Sequence, residues 1–397
     1  MRLPATLGAS AAGITVGWQI TSVGSVADTV GEGYGASLAA VGLLTTALFI
    51  THLAVQLPGG RLIDRVGARL VAIIGIAIVG SSNALALIAP EFGLGLTARA
   101  LMGVGTGLTF IAGSDYVRSM VGTAFAQGMY GGINLGMGGV ALAVVPVFES
   151  SLEWRAPFVT GAVLSLVSLA AFVASPSDRS LSRVASPAKI VRPPFRALRP
   201  VGLSPLVVIH TASFGLNVVV ANWIVVLLER AGDYSTRTAA TIGGLSLLAG
   251  VVTRPLGGWV VRERPDRTRE LIGLSLLTGG AGVAVLAWVG PPIVMALAGI
   301  VVGLSAGFPF AAAFTGAVKA RPEMPGTSVA YVNALASVAI LIGTPLVGLT
   351  FSLPGDGRIG FLVVGAFWAL AVFALPSRKL LGIEEAPKRP DRAAPTI

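Results

Sequence analysis

The chain has 397 residues, of which 54% are hydrophobic and only 12% charged, at a mean hydropathy of +0.83. Soluble domains carry about a quarter charged residues, so this composition leaves too little polar surface to face water and excludes a soluble enzyme. Net charge is +10 and cysteine is absent, which removes disulfides, thiolate metal sites and thiol nucleophiles.

A hydrocarbon core about 30 Å thick needs roughly 20 apolar residues per spanning helix. The first apolar run, 5–27, is too long for the hydrophobic stretch of a leader peptide. It also lacks a basic segment beyond Arg2, so it reads as a retained first helix. Further runs follow at roughly 36–58, 70–90, 93–115, 123–147 and 155–174. A polar interruption at 175–202 carries Arg179, Arg183, Lys189, Arg192, Arg196 and Arg199. Apolar runs then resume at roughly 203–228, 238–260, 270–290, 292–316, 327–352 and 358–376. The expectation is an all-α integral membrane protein of twelve transmembrane helices. Residues 1–174 and 203–376 form two six-helix bundles, 175–202 is a basic cytoplasmic linker, and 377–397 is a disordered, polar, Pro-rich cytoplasmic tail.

With the N-terminus inside, alternate loops and termini hold 22 Lys and Arg residues, against four (Arg155, Arg230, Arg237, Arg358) on the other side. That asymmetry sets both termini in the cytoplasm, across a plasma or inner membrane. The basic excess is thereby a topology signal and an attraction to anionic lipid headgroups, with no nucleic-acid partner.

The two halves match at an offset near 200. Gln56-Leu-Pro-Gly-Gly60 corresponds to Arg254-Pro-Leu-Gly-Gly258, and Gly103-Val-Gly-Thr-Gly-Leu-Thr-Phe110 to Gly303-Leu-Ser-Ala-Gly-Phe-Pro-Phe310. Asn134 precedes Pro146 by the same spacing that separates Asn333 from Pro345. Trp154-Arg-Ala-Pro-Phe158 is echoed by Gly357-Arg-Ile-Gly-Phe361. Four matches in order describe two homologous bundles about a pseudo-twofold axis along the membrane normal. A site between them would open to alternate sides as one bundle rocks on the other.

This organisation resembles the major facilitator superfamily. Gly60-Arg61-Leu62-Ile63-Asp64-Arg65-Val66-Gly67-Ala68-Arg69 matches the family pattern G-x-L-x-D-R-x-G-x-R at every fixed position. Arg99-Ala-Leu-Met-Gly103-Val-Gly105 resembles its R-x-x-x-G-x-G, and Trp154-Arg155-Ala-Pro-Phe158 its W-R-x-x-F. Two departures stand out. Gly132-Ile-Asn-Leu-Gly136-Met-Gly-Gly139 lacks the proline of the antiporter pattern, and the second copy of the loop motif carries Arg262 where the first has Asp64. The resemblance implies a gating element of Gly60, Asp64, Arg65, Gly67, Arg69 and Asp115. In it Asp64 lies against the N-terminal end of the eleventh span, and Arg65 or Arg69 pairs with Asp115. Gly60 is read as the small residue that lets two helices approach.

Ionisable groups at membrane depth are costly and usually face a cavity. Here they are Arg99, Arg254, His52 and His210, with no Asp or Glu in the middle of a span. Two arginines without an intramembrane carboxylate point to an anionic solute, gripped through the bidentate geometry of guanidinium. Each arginine also has a structural reading: Arg99 as a backbone-bonding residue, and either as a snorkelling side chain. Arg254-Pro-Leu-Gly-Gly-Trp259 looks like the eighth-span segment of nitrate/nitrite and cyanate-type members. Candidate substrate contacts are Arg99, Arg254, His210, Asn134, Asn333, Tyr130 and Tyr331. Candidate coupling groups are His52 and His210, each equally readable as a satisfied structural histidine.

No nucleophile, metal cluster or phosphate loop appears, so neither enzyme chemistry nor a cofactor is expected. The reading is a monomeric secondary transporter of a small anion, driven by protons or by a counter-transported solute. The alternatives are proton-coupled efflux of amphipathic drugs and a non-transporting membrane sensor on the same fold.

Overall fold

The computed structural model describes residues 2–121, 124–177, 202–321 and 325–381. Most of the expected linker, and the tail from residue 382, lie outside the described residues. Helices fill the described chain, with no strand among them. The first half contains α1 (Arg2–Thr21), α2 (Ala27–Tyr34), α3 (Leu38–Val66), α4 (Ala68–Ala86), α5 (Phe92–Met120), α6 (Ala124–Val144), α7 (Glu149–Leu152) and α8 (Ala156–Val173). The second contains α9 (Ser204–His210), α10 (Asn217–Gly232), α11 (Thr236–Glu263), α12 (Pro265–Trp288), α13 (Pro292–Ala320), α14 (Pro325–Thr350) and α15 (Arg358–Leu370). Nine stretches among the described residues are long and apolar enough to cross a membrane, and one of them, Met129–Val173, holds α8 and most of α6. With α1 and the shorter Arg358–Ala374 helix, and with α9 and α10 taken as one interrupted span, these make the twelve expected helices.

The repeat extends to caps and packing. Ser37 caps α3 by accepting from the Ala40 amide, and Ser235 caps α11 by accepting from the Thr238 amide, both at 3.3 Å. In the first half α5 packs on α3 and α4, and α4 on α8. In the second, α13 packs on α11 and α12, and α12 on α15. Glycine makes the equivalent crossings close. A Cβ on Gly103 would run into the Leu48 carbonyl, and one on Gly303 into the Ser246 carbonyl.

Several spans differ from the expected lengths. Helix α3 continues to Val66, because the charged 61–66 segment keeps helical geometry beyond the apolar run. It stops at Gly67, whose φ of 88° only glycine adopts freely, and α4 starts at once. The first span ends at Thr21, earlier than expected. A 3-10 turn at Gly24–Val26 and the short α2 follow, ended by left-handed Gly35.

Two equivalent seams join the bundles: α3 with α14, and α6 with α11. On the second, Gly132 and Gly136 face Val251, and Gly139 faces Gly244 and Leu247, so the glycine spacing in α6 serves helix approach. The end remote from the arginine-bearing α3–α4 and α11–α12 turns is closed. There Asp28 pairs with Arg230 across the bundles, with Arg230 Nε 3.2 Å from Asp28 Oδ2. Thr45 Oγ1 donates to Asn222 Oδ1 at 3.3 Å, and Thr46 Oγ1 to the Leu341 carbonyl at 2.9 Å. Gly24 abuts the Asn222 backbone, and Gly42 abuts Pro345.

Candidate functional site

Two ring clusters, each built on a buried histidine, occupy the interior. In the second bundle α13 supplies Phe310 and Phe314, four residues apart on one helix face, with rings edge-to-face at 4.6 Å. Helix α9 ends on His210, which is fully buried. A π-helical turn, Thr211–Leu216, follows directly, the kind of irregularity that gathers at functional sites. It stacks Phe214 on the imidazole at 5.5 Å and 13°, while Phe314 at 4.7 Å and Phe310 at 5.6 Å cover its other sides. His210 Nε2 lies 3.2 Å from Asn333 Oδ1. Its Nδ1 is buried and without a partner among the described residues.

Arg254 of α11 completes this cluster. Its guanidinium lies 4.2 Å over the Phe310 ring, and Nη1 donates to the Gly131 carbonyl of α6 at 3.0 Å. That hydrogen bond crosses between the bundles. Among the described residues Nε is buried and without a partner, and no Asp or Glu pairs with Arg254. The result is a desolvated cation set over an aromatic ring, with one buried donor unpartnered among the described residues.

In the first bundle His52 Nδ1 meets Thr106 Oγ1 at 3.0 Å. Phe49 and Phe110 stand 5.8 and 6.0 Å from its ring, and Tyr130 stands 6.0 Å beyond Phe110. Tyr130 donates to the Phe110 carbonyl at 2.9 Å. Phe110 and Phe310 hold the same position in the two repeats. The clusters meet at the bundle interface, where Phe49, Val218 and Ile340 pack together with Phe214. Beside Tyr130, a cavity of about 30 Å³ between α1, α5 and α6 is lined by Ser10, Val117 and Ile133, among others. That is room for about one water.

The remaining sequence candidates divide. Asn134 is buried on α6 with its Nδ2 unpartnered among the described residues, and Tyr331 is half-buried on α14 against the core. Arg99 takes a different place. It is fully buried, its Nη1 donates to the Gln19 carbonyl at 2.9 Å, and its Nε reaches the Leu44 carbonyl at 3.4 Å. It thus ties α5 to α1 and α3 inside one bundle, and none of its partners belongs to a ring cluster. Neither arginine snorkels, since both are held by backbone carbonyls in the interior.

In the loop motif Gly67 forms the turn already described. Arg69 Nε donates to the Ser175 carbonyl at 3.1 Å and Nη2 to the Val173 carbonyl, placing a cation on the C-terminal end of α8. Arg65 is exposed and Asp115 is half-buried on α5. The Asp64 side chain lies outside the described residues. Among the described residues Gly60 has no close helix neighbour. A Cβ there meets nothing described within 4 Å, whereas one on Gly59 would lie 2.7 Å from Ile111 and 2.8 Å from Leu108.

The model of the Major Facilitator Superfamily matches residues 7–344. The chain belongs to the major facilitator superfamily. It is 27% identical over 386 residues to the 3-(3-hydroxy-phenyl)propionate transporter of Escherichia coli (strain K12), covering 91% of each chain. It is 24% identical over 383 residues to the probable sulfoacetate transporter SauU of Cupriavidus necator, covering 89% of this chain and 88% of that one. In fold it is similar to the crystal structure of the nucleoside transporter NupG, with a TM-score of 0.72 at 14% identity over 97% of this chain and 99% of that one. Family and relatives make this superfamily member a multi-pass membrane transporter of a small molecule and not an enzyme.

Sequence reasoning found the polar centres of the two clusters and missed their rings. Phe214, Phe310, Phe314, Phe49, Phe110 and Thr106 were not singled out. A signal was available in Phe110 and Phe310, which end the matched repeat segments, and in the four-residue step from Phe310 to Phe314. The π-helical turn left no sequence mark.

Proposed function

We propose that this transporter carries a small organic anion by alternating access across the plasma or inner membrane, as a monomer with both termini cytoplasmic. The observation that carries the proposal is Arg254, a buried cation with no countercharge among the described residues and a free Nε edge, set where the bundles meet. An anion there would supply the missing charge and form a charge-assisted hydrogen bond. The named substrates of both relatives are organic anions, which supports the same class. Asn134, Asn333, His210, Tyr130 and Tyr331 complete the candidate substrate surface. Arg99 serves as the bridge that holds the first bundle together. His52 and His210 are the candidate proton carriers, with solute exchange as the other source of drive. The Asp64, Arg65, Arg69 and Asp115 network latches the basic end when that end is closed.

The test is uptake into proteoliposomes presented separately with carboxylates, sulfonates and lipophilic cations. Saturable anion uptake, reduced at least about tenfold in Arg254→Ala, is expected. Uptake of lipophilic cations alone would instead establish drug efflux, and saturable binding without uptake would establish a sensor.

A further inference from the structure

The chemistry around Arg254 is more specific than a site for any small anion. Its cation is stacked on one ring, and that ring belongs to a set: Phe310 and Phe314 edge-to-face, and Phe214 face-on to His210. Several core aromatics are sealed; Trp223, Trp368, Phe158 and Phe361 are each less than 2% exposed. Phe214, Phe310 and Phe314 are only half-buried. Each contacts the fully buried His210, so all three rings gather around one polar group in the interior.

Stacking also fixes the direction of approach. The guanidinium carbon sits 4.2 Å over the Phe310 ring and Nη1 is held by Gly131, which leaves Nε, buried and without a partner among the described residues, as a donor on offer to an oxyanion. A ligand whose head reaches that donor lays its body along Phe310 and toward Phe314 and Phe214. Rings already in edge-to-face and offset contact accept a further ring in the same geometries, which an alkyl chain cannot reproduce.

We infer that the cargo is an arene carrying one oxyanion head group, carboxylate or sulfonate, with the head on the Nε edge of Arg254 and the ring among Phe310, Phe314 and Phe214. This inference rests on the organic-anion reading and narrows it.

Initial uptake rates into proteoliposomes of phenylacetate, cyclohexylacetate and acetate test it, with empty liposomes as the leak control and 2-phenylethanol as a neutral competitor. Phenylacetate is expected to exceed acetate in kcat/KM by about 30-fold or more, from burial of the ring. It is expected to exceed cyclohexylacetate by about three- to tenfold, from aromatic contacts that the saturated ring lacks. The neutral alcohol should compete at least about tenfold more weakly than phenylacetate, since it lacks the charge that Arg254 meets. Phe310→Leu should bring the phenylacetate-to-cyclohexylacetate ratio toward one; if that variant does not fold, the panel on the unaltered protein still decides. Equal handling of the three anions would overturn the inference and leave the organic-anion reading standing. Absence of uptake for all three in protein that carries another class of solute would overturn both.

Discussion

Arg254 and Arg99 are the same residue type at comparable burial, and their surroundings give them different work. Among the described residues each leaves one buried guanidinium nitrogen without a partner, Nη2 of Arg99 and Nε of Arg254, but Arg99 donates to two backbone carbonyls of its own bundle, whereas Arg254 touches one carbonyl of the opposite bundle and one ring face. Lysine cannot reproduce the planar fork or the stacking on Phe310. Arg254→Lys is therefore expected to raise the KM for anion uptake by about tenfold or more while the folded protein remains monodisperse, as read from concentration-dependent uptake and size exclusion. Glycine tells a second story at this scale. Because Gly103 and Gly303 face backbone carbonyls, which cannot rotate away, alanine at either should destabilise the fold by about 1–3 kcal/mol, measured as a lowered unfolding temperature in detergent. The charged centres were legible in the sequence because ionisable residues in apolar spans are rare. The ring walls were not, because phenylalanine in such a span signals packing as readily as recognition, and only geometry separates the two.

Among the elements, the spans themselves were written in composition, and the repeat carried even the paired serine caps at Ser37 and Ser235. Irregularities were less visible. The π-helical turn at Thr211–Leu216 and the short α2 both pack against neighbouring helices, contacts that local propensity does not encode. Closure of the far end rests on α2 and α10, through the Asp28–Arg230 pair. That pair is partly exposed, with side chains 31% and 41% accessible, so its contribution to global stability is small, about 0–1 kcal/mol. Its effect on the equilibrium between end-open and end-closed forms should be visible all the same. Asp28→Asn is expected to raise the reactivity of a cysteine introduced at Thr45, in a background free of other cysteines, with little change in unfolding temperature. The double exchange Asp28→Arg with Arg230→Asp should restore protection, and high salt should reduce the difference between variant and parent. Equal labelling in all three proteins would remove this pair from the gate.

At the level of the whole molecule, the two bundles meet along equivalent seams, α3 with α14 and α6 with α11, and the second seam includes the Arg254–Gly131 hydrogen bond. On the proposed reading recognition and bundle contact share one guanidinium, which would give a bound anion a direct means of biasing the arrangement. The architecture was legible because membrane thickness, charge asymmetry and internal repetition each constrain it independently. The cargo was not, since a fold shared by carriers of different solutes leaves specificity to a few side chains. The most direct measurement is counterflow of a labelled organic anion into proteoliposomes preloaded with the same unlabelled anion, without any ion gradient. The account predicts transient accumulation of label above equilibrium, abolished in folded Arg254→Gln. Saturable binding without accumulation, or accumulation in Arg254→Gln with an unchanged KM, would contradict it.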